Sequence, residues 1–394
     1  MLQYQTRLEK NSDKCEIIAK TFSGLENLLA EELKQLGANE IVILKRGVKF
    51  KGSQLTLYKV NYYSRLALKI LKHLYSFNAV NELKLYENIY NYPWEKLFSI
   101  NQTFMITSTV NSANFKHSQY ISLKVKDAIA DRFRDKCAKR PYVERLNPDY
   151  TIHIHINSNN ECHVSLDSSG EPLFKRGYRG SQGNAPLNEV LAAGLIQLTG
   201  WDKKCPIVDF MCGSGTILIE AALFALNIAP GKFRKLFAFQ KWKDYDIDLF
   251  NSITKNKPLG IDCQPPIITG CDIDKKAIEN AQKNINNAGL SNFVKIQLKN
   301  FTQFRPPKTK GIVISNPPYG ERIKNDDINN LYKQIGDVLK NNYVNYDSWL
   351  ISHNLQAFKH IGLKTGKKII LFNGPLECRF NKYSILTGSL KKNK

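Results

Sequence analysis

No two of the eight cysteines stand in C-x-x-C spacing and none clusters with histidine, although they run from Cys15 to Cys378. Neither a zinc site nor a disulfide framework is indicated, and the thiols read as reduced packing residues. No apolar run approaches the roughly 20 residues of a bilayer-spanning helix. The N-terminal stretch MLQYQTRLEKNSDK lacks the hydrophobic segment of a secretion signal. These absences lead to the expectation of a soluble, cytoplasmic chain without membrane partner or metal. Internal repeats and low-complexity tracts are missing too, apart from the short basic tail KKNK. Acidic residues are scarce: 35 Asp and Glu face 57 Lys and Arg, a formal net charge of +22. That excess points to a polyanionic partner, with a lysine-rich surface of no functional meaning as the competing reading. Charge alone does not separate RNA, DNA and anionic membrane.

What is present suffices for more than one core. A chain of 394 residues, 42% of them hydrophobic, is expected to form two or three domains. TFSGLENLLAEELKQLGA sets Ser23 and Glu26 in capping-box spacing, repeats Leu25, Leu29, Leu33 and Leu36, and stops at Gly37, which predicts an amphipathic helix. Strand candidates flank it at IIAK and EIVILKRGVKF, giving a small α+β unit. QYISLKVKDAIADRFRDK predicts a second helix with Ile121, Val125, Ala128, Ile129 and Phe133 inward. Its other face carries Lys124, Lys126, Arg132 and Arg134, continued by Lys139 and Arg140, as candidate phosphate contacts. Asp127, Asp131 and Asp135 on the same helix leave a plain solvated face as the alternative. TIHIHINS has the alternation of a half-buried strand, so its histidines read as a solvent-side pair rather than metal ligands.

From about Asp167 the Gly-rich, basic stretch EPLFKRGYRGSQGNAP reads as a linker. Strand and helix signals then alternate to the end, which predicts a mostly parallel sheet with helices on both faces. IVDFMCGSGT places Asp209 at a strand end, then Gly213 and Gly215, then a helix opening at Thr216. Glycines there let backbone amides approach a ligand. The turn is neither a complete G-x-G-x-x-G fingerprint nor a Walker A loop. The next strand delivers Asp272 and Asp274, where a ribose diol would sit, although either could simply cap the following helix. Two acids on neighbouring strand ends suit S-adenosylmethionine. Residues 228 to 266, with Phe233, Phe237, Phe239 and Trp242, form an insertion expected to help cover the pocket.

ISNPPYG ends a further strand, expected beside the first. An exocyclic base amine is a poor nucleophile, because its lone pair is delocalised into the ring. The Asn316 amide oxygen and the Pro317 carbonyl, stiffened by Pro318, can accept its two hydrogens and aim the nitrogen. Tyr319 offers a surface on which an extruded base stacks.

DFMCGSGT, IAPG, SNPPYGER and NGPLEC, with RGYRG ahead of them, resemble the THUMP-domain-containing large-subunit ribosomal RNA guanine-N2 methyltransferase family. The similarity continues upstream through SGLENLLAEEL, GVKFKG, SRLALKIL and SQYISLKVKDAIAD, so it covers nearly the whole chain. The resemblance implies a ferredoxin-like part over residues 1–45, completed by adjoining segments, and a THUMP RNA-binding domain over 46–157. A linker over 158–185 and a class I, Rossmann-like, S-adenosylmethionine-dependent methyltransferase domain over 186–394 follow. The second methyltransferase fused in some members is not expected. It further implies Asn316, Pro317, Pro318 and Tyr319 as the catalytic motif, and Ala185, Pro186, Asp209, Met211, Cys212, Gly213, Gly215, Asp272 and Asn300 around the methyl donor. The chain departs from the family at Phe210, where proline is usual, at Asn300, where Asp is common, and at Asn188, where a basic residue is common. The activity implied is methylation of a guanosine N2 in 23S rRNA. Guanine-N2 methylation of tRNA, N6-adenine methylation of DNA and a non-catalytic RNA-binding assembly factor stay open beside it.

Overall fold

The structure, a computed structural model, describes residues 14–180, 187–255, 266–320 and 325–385, the side chains of 325 and 326 apart. It divides into two compact units, the first built from residues up to Thr21, Leu29–Leu173 and Arg234–Asn256, the second from Phe22–Leu28, Phe174–Phe233 and Lys257–Lys394.

The first unit is organised on a seven-stranded sheet. Its strands are β1 (Cys15–Lys20), β2 (Asn39–Leu44), β3 (Gly47–Gly52), β4 (Lys69–Asn78), β5 (Phe104–Val110), β6 (Tyr150–Ile156) and β7 (Glu161–Asp167). They lie in the order β2-β3-β1-β4-β7-β6-β5, antiparallel except where β5 runs parallel to β6. In β6, Ile152, Ile154 and Ile156 are buried while His153 and His155 stay half-buried on the other face, as the alternation predicts. Helix Ser118–Cys137 buries Ile121, Val125, Ala128, Ile129 and Phe133, the five positions its spacing marks. EIVILKRGVKF is not one strand but the hairpin β2–β3, because Arg46 takes a left-handed conformation (φ 58°) and turns the chain. The first helix runs Glu26–Gln35 rather than opening on a capping box at Ser23: the Glu26 carboxylate accepts from the nearer Gly24 N–H at 2.7 Å.

The insertion corrects the sequence reading more substantially. Phe237, Phe239 and Trp242 do not cover a pocket; they are buried within the first unit. Phe239 stacks on Tyr58 with centroids 4.3 Å apart, and Trp242 lies nearly parallel to Tyr150 at 6.2 Å. Aromatic area of this kind stabilises a core, and nothing in its sequence pattern says which core it joins.

The second unit holds β8 (Ile207–Asp209), β9 (Ile268–Asp272), β10 (Val294–Leu298), β11 (Ile312–Ser315), β12 (Asp347–Ser352), β13 (Lys368–Asn373) and β14 (Leu376–Ser384). Their order is β10-β9-β8-β11-β12-β14-β13, parallel from β10 to β12 and antiparallel at β14 and β13. Strand order therefore reverses between β8 and β11, the switch point at whose carboxyl edge open α/β sheets bind ligands. One face of the sheet packs Val208, Val313 and Leu350 against Ile328, Tyr332, Ile335 and Leu339 of helix Asn325–Asn342. Helix Thr216–Ala225 follows the glycine turn and packs beside Glu189–Leu198; both are apolar nearly all round and correspondingly buried.

Candidate active site

The tips of β8, β9 and β11 meet at the switch point. Asp209 ends β8 and is 1% exposed. Its Oδ1 accepts from the Met211 N–H at 3.2 Å and from Ser315 Oγ, at the tip of β11, at 2.7 Å. Burial pushes its carboxyl up to about 7, the two hydrogen bonds pull the other way, and the nearby Asp272 charge adds to the rise. Gly213 and Gly215 both sit at positive φ, 52° and 80°, where side chains with a Cβ are strained. A Cβ at Gly213 would meet nothing within 4 Å among the described residues, so the turn leaves open space beside its backbone there.

Asp272 faces that turn: its Oδ2 accepts from Gly213 N–H at 2.8 Å and its Oδ1 from Asp274 N–H at 3.0 Å. Asp274 caps helix Lys275–Asn287 through Lys276 N–H at 2.8 Å, so the capping role falls to it. Met211 is half-buried. Cys212 is buried, and desolvation followed by the charges of Asp209 and Asp272 pushes its thiol well above the usual range. Asn300 spends Oδ1 on its own turn, accepting from the N–H and hydroxyl of Thr302 at 3.0 and 2.9 Å. Ala185 and Pro186 lie outside the described residues.

The Asn-Pro-Pro-Tyr loop starts one residue beyond the Ser315–Asp209 bond. Pro317 is buried, Pro318 is exposed, and Asn316 and Tyr319 are half-buried. The Tyr319 hydroxyl donates to Asn316 Oδ1 at 2.6 Å, and its ring meets His353 edge-on at 4.7 Å. Desolvation raises the phenol above its ordinary range, so it remains a donor. Two residues that sequence reasoning missed hold the loop from beneath. Tyr332 donates to the Pro318 carbonyl at 3.3 Å, and Asn354 Nδ2 donates to the Tyr319 carbonyl at 3.0 Å.

Arg179, in the stretch read as linker, was missed as well. Its guanidinium donates to Thr216 Oγ1 at 2.8 Å and to the Leu187 carbonyl at 3.2 Å, and pairs with Glu189 at 2.9 Å. It thereby clasps the helix that opens at the glycine turn. Asn284 adds a second tie, accepting from Gly180 N–H at 3.2 Å and donating to the Ser214 carbonyl at 3.1 Å. The RGYRG motif, which carries part of the family resemblance, was the available signal.

The cations marked for phosphate contact lie in the first unit and are mostly engaged. Arg132 makes two 2.7 Å bonds to Glu95, whose carboxyl it holds down to about 2. Arg134 and Arg140 share Asp131 at 3.1 and 2.9 Å, and Lys126 pairs with Asp127 at 2.6 Å. Lys124 lies 5.4 Å from the Tyr86 ring centre, and Lys139 is exposed. The carboxylates on and around this helix offset much of its positive charge. Among the described residues, no three His, Cys, Asp or Glu side chains converge as a metal site would require, and no helix is long and apolar enough to cross a membrane.

The family model described as RMKL-like, methyltransferase domain matches residues 176–382, more than half of the chain. The chain belongs to this family. Upstream, a THUMP domain model matches residues 79–167 and an RlmL ferredoxin-like domain model residues 16–71. A Synechocystis protein named "Putative RNA methyltransferase slr0064" is 40% identical over 92% of this chain and 94% of its own length. The ribosomal RNA large subunit methyltransferase K/L of Methylococcus capsulatus is 37% identical over 92% of the chain, which spans about half (50%) of that protein's length. The solved structure of SMU.472, described as "a putative methyltransferase complexed with SAH", aligns with a TM-score of 0.85 at 29% identity, covering 96% of this chain and 100% of that one. A methyltransferase domain preceded by ferredoxin-like and THUMP domains is the fold class that the sequence resemblance implies.

Proposed function

We propose that this RMKL-like methyltransferase transfers a methyl group from S-adenosylmethionine to the exocyclic N2 of a guanosine in large-subunit ribosomal RNA. The observation that carries the reading is the 2.7 Å bond from Ser315 to Asp209, which joins the donor-side strand tip to the first residue before Asn316. An amine held by Asn316 would therefore stand beside the glycine turn. The K/L methyltransferase name of relatives such as the Methylococcus protein supports the RNA class. The SMU.472 complex with SAH supports the donor.

The residues present fit that donor. The turn at Gly213 has positive φ and open space where a Cβ would stand, so backbone amides can be reached. Asp209, Met211, Cys212, Gly213, Gly215 and Asp272 would line the donor, with Asp272 already ordering the turn through Gly213. Asn300 is better placed to fix its own loop than to read an adenine. S-adenosylmethionine supplies an electrophilic methyl carbon on a sulfonium.

On the acceptor side, Asn316 Oδ1 and the Pro317 carbonyl take the two amine hydrogens and point the nitrogen lone pair toward the donor. Pre-orientation of this kind replaces strong base catalysis. Tyr319 supplies the stacking face. A thiolate route through Cys212 is disfavoured, because its environment keeps the thiol protonated.

The test is deletion of the gene followed by digestion of separated rRNA, tRNA and DNA to nucleosides for mass spectrometry. Loss of N2-methylguanosine from large-subunit rRNA alone supports the proposal. Loss from tRNA alone replaces the substrate, and loss of N6-methyladenine from DNA replaces the chemistry. Absence of S-adenosylmethionine binding in calorimetry would favour a non-catalytic assembly factor.

A further inference from the structure

The stretch from His353 to Lys382 carries six Lys or Arg residues and a single acid, Glu377. It borders a cavity of about 320 Å3 walled by Leu355 and Phe358 of the short helix Leu355–Phe358, by Lys359, by Lys368 of β13, and by Arg379 and Asn381 of β14. That volume lies at the lower end of small-ligand sites, about 300–1,000 Å3.

Three observations show that this cavity is left unfinished by the protein itself. Lys359 and Lys368 are exposed and, among the described residues, have no carboxylate within ion-pair distance. They contrast with the paired arginines of helix Ser118–Cys137. Arg379 Nε lies 4.0 Å from Glu377 and makes no hydrogen bond among the described residues. Asn381, only 6% exposed, leaves its side-chain oxygen without a donor among the described residues. A buried unpaired acceptor is unfavourable, and a ligand donor would satisfy it.

The cavity is also joined to the catalytic loop. Asn354 donates to the Tyr319 carbonyl at 3.0 Å and, with its Oδ1, caps helix Leu355–Phe358 through Ala357 N–H at 2.9 Å. Phe358 meets the Tyr332 ring edge-on at 5.8 Å, and the Tyr332 hydroxyl donates to the Pro318 carbonyl at 3.3 Å. One wall of the cavity thus shares its anchors with the loop that would hold the target base.

We propose that this cavity seats a nucleotide of the RNA strand flanking the methylated base, with its phosphate between Lys359, Lys368 and Arg379 and its base against Phe358 and Asn381. The inference rests on the RNA reading above and extends it to a named subsite. Lys359 and Lys368, with no acidic partner among the described residues, and Arg379, with only the 4.0 Å contact to Glu377, suit a phosphodiester; the half-buried ring of Phe358 suits a base face, and Asn381 can accept from a base N–H.

The test uses the full chain and a fluorescein-labelled short single-stranded RNA, titrated at several KCl concentrations. Lys359→Ala/Lys368→Ala changes two exposed side chains, so folding is preserved; calorimetry with S-adenosylmethionine checks that the donor site is intact. The double variant is expected to bind this RNA about tenfold more weakly. Its salt slope should be shallower by about 0.7 for each phosphate that is no longer neutralised. In methyl transfer, the KM for RNA should rise while kcat changes little. Wild-type affinity and slope in the variant would overturn the subsite and leave the RNA reading standing. A wild-type chain that binds S-adenosylmethionine but no RNA would overturn both.

Discussion

The Tyr319 hydroxyl donates to Asn316 Oδ1 across 2.6 Å, so the residue proposed to stack on the target base occupies the oxygen proposed to receive the target amine. The amide oxygen has a second lone pair, so an incoming amine can be accepted there beside the hydroxyl. Removing the hydroxyl while keeping the ring should cost little: Tyr319→Phe is expected to keep kcat/KM within about threefold of wild type. Removing the ring should cost the stacking energy, about 1–3 kcal/mol per base, or roughly 5- to 150-fold in KM for RNA with Tyr319→Ala. Steady-state kinetics on both variants check this; equal losses would show that the hydroxyl, not the ring, is what the reaction needs.

Asn316→Ala removes the acceptor altogether. Loss of one pre-oriented polar group at a reacting centre costs about 10²–10³ in kcat. The variant is expected to lose at least that much methyl transfer while binding S-adenosylmethionine as wild type does in calorimetry. Full turnover by Asn316→Ala would remove the residue from the mechanism.

How far the sequence could be read depended on whether a feature is local. The alternating isoleucines of β6, the inward face of helix Ser118–Cys137, the Gly-x-Gly turn and the Asn-Pro-Pro-Tyr loop each lie within a few residues, and each is found where its pattern indicates. Helix Glu189–Leu198 was not legible, because a helix buried nearly all round has no amphipathic period. Arg179 looked like linker because its partners Thr216 and Glu189 are brought to it only by the tertiary fold. The basic face of helix Ser118–Cys137 looked available for phosphate because Glu95, which engages Arg132, comes from a distant part of the chain. Likewise Phe239 is aromatic whichever core receives it, and only its stacking on Tyr58 decides the matter.

Arg179 separates a structural from a positioning role. Its side chain and that of Glu189 are largely buried; removing one partner of a fully charged buried pair costs about 3–5 kcal/mol, and less here near neutral pH, because burial already raises the Glu189 carboxyl to about 7 and lets it take a proton. Arg179→Met should lower the urea midpoint accordingly, and Arg179→Lys should recover little, since an ammonium cannot bridge Thr216, Leu187 and Glu189 as the planar fork does. In Arg179→Met/Glu189→Gln no charge is stranded, so stability should largely return. S-adenosylmethionine affinity should not, because the tie to the helix behind the glycine turn is still missing. Recovery of both together would reduce Arg179 to a fold-stabilising residue.

Asp209 gives the fold a pH dependence with a definite sign. Burial pushes its carboxyl up to about 7, while in the unfolded chain it returns to about 4. Between those values the folded state holds a proton that the unfolded chain releases. Stability from this group is therefore greatest below about pH 4 and is lost as the pH rises toward 7. Glu189, also raised to about 7 by burial despite the Arg179 charge, acts in the same window and sense. Asp209→Asn keeps an oxygen for Ser315 and Met211 and removes one of the two titrations. From about pH 5 to about pH 8 the urea midpoint of wild type should fall more steeply than that of the variant, by urea denaturation at each pH. Donor affinity should move the other way in wild type, strengthening as Asp209 ionises, because S-adenosylmethionine is cationic at its sulfonium and ammonium. It should be flatter in Asp209→Asn. Parallel stability profiles in the two proteins would mean that the carboxyl is already ionised at low pH, and that its burial is compensated by charges other than those around the glycine turn.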